Sequence, residues 1–187
     1  MKGRDYRKYY DLEKYLLEEV QPRFKRNQRL TTFDFFCIIV WKANRSKSKL
    51  ADRLLSMGYP DLDSAVAALV SAIVAAPSAK ERLRVLIEDW NFRLPTASAI
   101  LAILYPSAFT VYDVRVCGVL EDFDNAKDKT SFDDMWSEYS AYLEAVRREV
   151  PQTNSLREKD HFLWGKSFFL QLEGDITHGF SKKTKKK

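Results

Sequence analysis

Cysteine is nearly missing from this sequence. Cys37 and Cys117 are the only two in 187 residues, and each lies inside an apolar run, where a free thiol behaves as a small buried hydrophobe. A disulfide framework and an oxidising compartment are excluded on that count. Histidine is equally scarce: no metal-ligand spacing joins His161 to His178, so no metal site and no cofactor is implied. Long apolar stretches are missing as well. The longest, Phe33 to Trp41, carries Asp34 and is far too short to span a bilayer, and the N-terminal run Met1-Lys-Gly-Arg-Asp-Tyr-Arg-Lys8 lacks the apolar core of a signal peptide. The expectation is a soluble, cytoplasmic, monomeric protein with no membrane partner.

Internal repeats are absent, and the only low-complexity segment is Ser181 to Lys187. Its five lysines cannot bury enough surface to fold, so a disordered tail is expected after a single domain over 1–180. With 45% apolar and 13% aromatic residues, that domain can bury a core without crosslinks.

The net charge of +5 is matched by those five tail lysines, and the remaining residues sum to zero. Within the body, residues 1–60 hold fourteen Lys/Arg against seven Asp/Glu, whereas 61–180 hold twelve against nineteen. Such segregation suggests a basic face opposite an acidic one, an arrangement that orients a polyanion. Ordinary charged helix surfaces are the plainer explanation.

Apolar residues recur at spacings of three and four, and the breaks fall at helix-start residues. The pattern predicts an all-α fold. A first helix runs from Asp11 to Val20 and stops at Pro22; a second, opened by Thr31 or Thr32, covers 32–43; a third covers 46–57. Asp61 or Asp63 opens an alanine-rich helix to Ala76. Ser78 with Glu81, Ser131 with Asp134 and Ser155 with Glu158 have capping-box spacing and open helices to Asp89, to Glu149 before Pro151, and to Leu172. Only Phe109–Tyr112 reads as extended, too short for a sheet. Alanine and serine over 64–79 and 96–102 permit close helix approach.

The informative stretch begins with a helix, a short turn at 90–94 and a second helix with Pro95 in its first turn, where no helical N–H is needed. This hairpin covers about 86–104. After the turn Tyr105-Pro106, Asp113 opens the helix Asp113-Val-Arg-Val-Cys-Gly-Val-Leu120. On spacing alone Asp113 is an N-cap.

This order resembles the helix-hairpin-helix DNA glycosylases, whose pattern is a Leu-Pro-Gly-Val-Gly-x-Lys-Thr-Ala hairpin followed by Val-Asp-x-His-Val. Thr96-Ala97 matches the Thr-Ala pair, Asn91-Phe-Arg93 occupies the Gly-Val-Gly positions, Pro95 the lysine position, and Asp113 the catalytic aspartate. Over about 31–172 the chain is also similar to small bacterial members of that superfamily, in Trp41-Lys-Ala-Asn-Arg45, Pro95-Thr-Ala-Ser-Ala-Ile-Leu101, Tyr105-Pro through Asp113-Val-Arg115, and Leu156-Arg-Glu-Lys-Asp-His-Phe-Leu-Trp164. Relatives with an iron–sulfur loop need four cysteines, which this chain lacks.

The resemblance implies a glycosylase on double-stranded DNA. Breaking an N-glycosidic bond makes the deoxyribose cationic in the transition state, so a fixed carboxylate beside the anomeric carbon stabilises charge absent from the ground state. Asp113 takes that role. A helix N-terminus keeps it ionised. Backbone amides at 91–95 would hold a phosphate, giving Asn91, Phe92, Arg93, Leu94 and Thr96 as the nucleic-acid contact. Arg93 at a glycine position carries a steric cost if φ is positive, which implies a reshaped turn with a side-chain phosphate contact. Pro95 in place of the Schiff-base lysine implies a monofunctional enzyme that leaves an abasic site, with Lys42 the nearest substitute.

Trp41 is expected against an extruded base, Lys42, Arg45 and Arg115 on phosphates, and Tyr112, Arg157 and Asp160 around the base. The plainer alternatives are a core Trp41, cations decorating a helix end, and an Arg157–Asp160 pair that only braces. Trp164 reads as core. Two non-enzymatic functions compete: a DNA-binding module in which Asp113 merely caps, and a protein-interaction domain suggested by the acidic 121–149 segment. The base, and whether the role is repair or defence against modified foreign DNA, stay open at this level.

Overall fold

The computed structural model describes residues 5–180 apart from positions 122, 124, 151, 152 and 154. Pro151 and the lysine tail 181–187 lie outside the described residues. Within them the fold is all-α, with helices and turns and no strand.

The first helix, α1, departs from expectation. It spans 12–27 and passes through Pro22 instead of stopping there. Leu16–Val20 form a π turn, in which the Gln21 amide donates to the Leu16 carbonyl five residues back. The widened turn accommodates a ring that has no N–H to give, and Leu16, Val20 and Phe24 stay buried along one face. Gln28, left-handed at φ 52°, ends the helix.

The remaining starts follow the sequence closely. Helix α2 (Thr32–Ala43) is capped by Thr31, α4 (Leu62–Ala75) by Asp61, and α5 (Ala79–Arg84, then a π turn Val85–Asp89) by Ser78. Between α2 and α4, a 3-10 turn Asn44–Ser46 leads into α3 (Lys47–Ser56). Then come α6 (Leu94–Leu104), α7 (Val114–Leu120) capped by Asp113, α8 (Phe132–Glu149) capped by Ser131, and α9 (Leu156–His178) capped by Ser155. In each capped case a side-chain oxygen accepts from an amide of the first turn, one of the donors a helix start leaves open. Helix α9 continues past Leu172 to His178, but no residue beyond Leu163 is buried, so only its first half shapes the interior.

The core centres on α6, where every residue from Ala97 to Leu104 is buried. Its alanines and Ser98 let α1, α2 and α5 close on it. Helix α9 lies along α7, and α8 packs against both. Between α6 and α7 the chain runs extended and buried from Phe109 to Tyr112. Side chains take the place of a strand partner there. Tyr139 donates to the Thr110 carbonyl (2.6 Å), Tyr142 to the Val111 carbonyl (2.8 Å), and the Tyr112 amide donates to Ser98 Oγ (2.9 Å).

Asp34, the charge inside the apolar run, is buried and fully engaged. It accepts from Tyr15 Oη, Arg23 Nη2 and Thr31 Oγ1, each at 2.7 Å, and so ties α1 to the start of α2. Removing the carboxylate leaves the Tyr15 hydroxyl and Arg23 without their shared acceptor. Asp34→Ala is expected to cost about 2–4 kcal/mol of folding free energy in urea titration; a change within experimental error would mean that the network adds nothing net.

Candidate active site

The extended segment delivers Asp113 to the wall of a cavity of about 680 Å³, which Val111, Val114 and Arg115 also line. From α2 come Trp41 and Lys42, from α1 Glu13, and from α9 Arg157, Asp160, His161 and Trp164. The volume falls within the range of small-molecule sites. Residues widely separated along the chain therefore meet at one place.

Asp113 is both a cap and a partner in an ion pair. Its Oδ1 accepts from the Arg115 amide (2.9 Å), and its Oδ2 accepts from Lys42 Nζ at 2.6 Å. Burial pushes its carboxyl up, but the Lys42 ammonium beside it, the Arg115 amide and the Arg115 charge outweigh burial and hold it below the usual carboxylate range. Asp113 is thus ionised at neutral pH.

Asp160 is shifted the other way. It is buried, ion-paired to Arg157 through Oδ2, and burial together with the nearby charge of Asp113 pushes its carboxyl up to about 6 against the pull of Arg157. Its Oδ1 is buried without a hydrogen-bond partner among the described residues. Arg157 reaches further: its Nε donates to Glu13 Oε1 (2.7 Å), and its guanidinium lies 4.9 Å from the Trp41 ring centre. His161 Nε2 also meets Glu13 Oε1. Burial raises the Glu13 carboxyl, and its contacts with Arg157 and His161 bring it below the ordinary value. On the opposite flank Arg115 lies 5.2 Å from the Trp164 ring centre and donates to Gln171 Oε1 (3.0 Å). Such a pocket joins an ionised carboxylate, an acid-prone carboxyl and an indole wall.

Comparison with protein-family models, with curated proteins and with solved structures finds no match to this chain. What the site can do rests on its own geometry.

Of the residues expected at a site, Trp41, Lys42, Asp113, Arg115, Arg157 and Asp160 line the cavity. Others do not. Tyr112 is fully buried and its hydroxyl turns to the Phe123 carbonyl, because alternation along an extended segment sends it to the face opposite Val111 and Asp113. Arg45 is exposed on the 3-10 turn, away from the lining residues. Trp164, expected in the core, is 42% exposed and lines the cavity. Glu13 and His161 carry no local motif; only the side-chain contacts of Glu13 on α1 with Arg157 and His161 on α9 bring them in.

The turn 90–93 also differs from expectation. Asn91, not Arg93, adopts the left-handed conformation (φ 52°), and Arg93 sits at φ −79° as the N-cap of α6 without strain. The Phe92 amide donates to the Leu86 carbonyl (2.8 Å), and Arg53 holds the Asn91 carbonyl. With Pro95 lacking an N–H, at most the amides of Asn91, Arg93 and Leu94 remain for a phosphate. Phe92 and Leu94 are buried, Phe92 edge-on to Phe35, and Thr96 is half-buried, so only Asn91 and Arg93 present side chains outward. None of the turn residues lines the cavity.

If Lys42 is what keeps Asp113 ionised, burial dominates once it is gone. In Lys42→Met the Asp113 carboxyl is expected to titrate above the ordinary carboxylate value, followed by carbon NMR of the labelled side chain; an unmoved titration would show that Lys42 is incidental. For Asp160 the sign is opposite. A folded-state value near 6, above the unfolded value, means that the charge opposes folding as pH rises from about 4 to 6, a displacement worth about 3 kcal/mol. Asp160→Asn should therefore gain stability relative to the wild type between pH 4 and pH 7 in urea unfolding, and a constant difference would contradict the assignment.

Proposed function

We propose that this chain is a monofunctional DNA glycosylase, which takes a damaged or modified base out of duplex DNA and hydrolyses its N-glycosidic bond. The observation that carries the reading is Asp113: a carboxylate held ionised by Lys42 and the α7 N-terminus, at the wall of a base-sized cavity beside Trp41. The sequence resemblance to helix-hairpin-helix glycosylases supports it independently.

In this reading an extruded base enters the cavity along Trp41 and the sugar lies over Asp113. As the C1′–N bond lengthens, positive charge grows on the sugar, and the adjacent carboxylate stabilises it more than it stabilises the neutral ground state. A water on the sugar's free face then adds to C1′. Among the described residues lining the cavity the one lysine, Lys42, is held in an ion pair with Asp113, and Pro95 stands where bifunctional helix-hairpin-helix glycosylases carry their lysine, so the expected product is an abasic site in an unbroken strand. Arg93 and Arg115 are the cations best placed for backbone phosphates: the first is exposed on the turn, and the second lies at the cavity wall.

One observation favours a second reading, a DNA-binding module without catalysis. Both carboxylate oxygens of Asp113 have partners, as a purely structural cap would require. The two readings separate on one variant. Asp113→Asn is expected to lower base release at least about a hundredfold on a duplex panel of damaged, mismatched and heavily modified bases, while DNA affinity changes little. Borohydride should trap no protein–DNA adduct. Undetectable release by the wild-type protein across the panel, with salt-dependent binding intact, would establish the second reading instead.

A further inference from the structure

Helix α9 has two apolar faces, and the domain covers one of them. Its buried residues, Leu156, Lys159, Asp160 and Leu163, share the face turned to the interior. At about 100° of turn per residue, Phe162, Phe169, Leu172 and Ile176 lie roughly opposite, and there they are 55, 61, 39 and 65% exposed. With Gly165 they keep the alternating three- and four-residue spacing of a coiled-coil seam, 162-165-169-172-176. Trp164 and Phe168, stacked with ring centres 5.9 Å apart, widen the stripe toward the cavity rim. A surface helix carries one apolar stripe; a helix apolar on two sides belongs between two partners.

We propose that the second partner is another copy of this chain, with its α9 antiparallel to the first, in an isologous two-fold dimer. Size, charge and area select this occupant. In the antiparallel arrangement Phe169 meets the partner's Leu172, and Gly165 meets the partner's Ile176, each layer occurring twice about the axis. A glycine in mid-helix weakens the helix, and nothing within the chain comes within 4 Å of where a Cβ on Gly165 would stand. Its use is to admit the isoleucine across the seam. Lys166 and Glu173 are exposed on one flank of the seam, two turns apart, and neither has an ion-pair partner among the described residues. Antiparallel pairing sets Lys166 beside the partner's Glu173 and Glu173 beside the partner's Lys166. A parallel pair would instead set Lys166 beside the partner's His161 and Glu173 beside the partner's Phe168, uniting no opposite charges. Covering the stripe on both copies removes on the order of 1,000 Å² from water, the lower edge for a specific interface. A reversible dimer follows, with a Kd on the order of 10 µM.

Sedimentation equilibrium of the full chain over about 1 to 200 µM should show monomer passing to dimer and no larger species. Phe169→Glu, at the middle of the seam, should keep the chain monomeric throughout, with helix content and urea midpoint unchanged because that side chain is exposed in the monomer. Lys166→Glu and Glu173→Lys should each weaken the dimer about tenfold or more, since each sets like charges together twice. The double variant should return to within about threefold of the wild type, a rescue that only the antiparallel pairing supplies. A chain that stays monomeric over the whole range, or a dimer indifferent to Phe169→Glu, would overturn the proposal. So would a dimer that the paired exchange does not restore. A monomer that instead sediments with vesicles of phosphatidylserine and phosphatidylcholine, and loses them on Phe169→Glu, would assign the stripe to a lipid surface in place of a second copy. Base release enters none of these readouts, so the dimer stands or falls apart from the glycosylase reading.

Discussion

The structure turns on a backbone problem. The chain from Phe109 to Tyr112 is extended, buried and without a sheet, so its carbonyls and amides need partners that no strand provides. Tyr139 and Tyr142 reach in from α8 to two of the carbonyls, and Ser98 reaches from α6 to the Tyr112 amide. These three bonds fix the direction in which the chain leaves the core. Asp113 follows immediately, and its position is as rigid as the tyrosines and the serine that hold the segment before it.

Charge in the cavity is organised around that fixed point. Lys42 meets Asp113, Arg157 bridges Asp160 and Glu13, and Arg115 leans on Trp164. Each cation satisfies a carboxylate or covers an indole, so the pocket holds many charges with a small net imbalance. Asp160 is less completely served, since its Oδ1 has no hydrogen-bond partner among the described residues. Asp34, by contrast, is met on both oxygens by Tyr15, Arg23 and Thr31.

The hairpin illustrates how a local pattern can be right in outline and altered in use. A helix, a turn and a helix occur where spacing puts them, yet the turn is closed from inside by the Phe92 amide and the buried Phe92 and Leu94 side chains. Asn91 adopts the left-handed conformation because its short polar side chain tolerates it, which leaves Arg93 free of backbone strain. Any phosphate held here depends more on the Arg93 side chain than a glycine-rich turn would require.

The sequence by itself determined the helix starts and the place of Asp113 at the head of α7. Thr31, Asp61, Ser78, Ser131 and Ser155 bond to amides three residues away, and such contacts are encoded in local spacing. Pro22 was misleading for a local reason too, since a π turn upstream can absorb a proline that spacing alone treats as a stop. Tertiary structure alone decided which residues share the cavity. Lys42 and Asp113 are 71 positions apart and Glu13 and Arg157 are 144 apart, so their meeting depends on how α1, α2 and α9 pack around the extended segment. The same packing turned Tyr112 inward and Trp164 outward, and left Asp160 with one oxygen unpaired. Burial and long-range charge act through space, and no spacing along the chain records them.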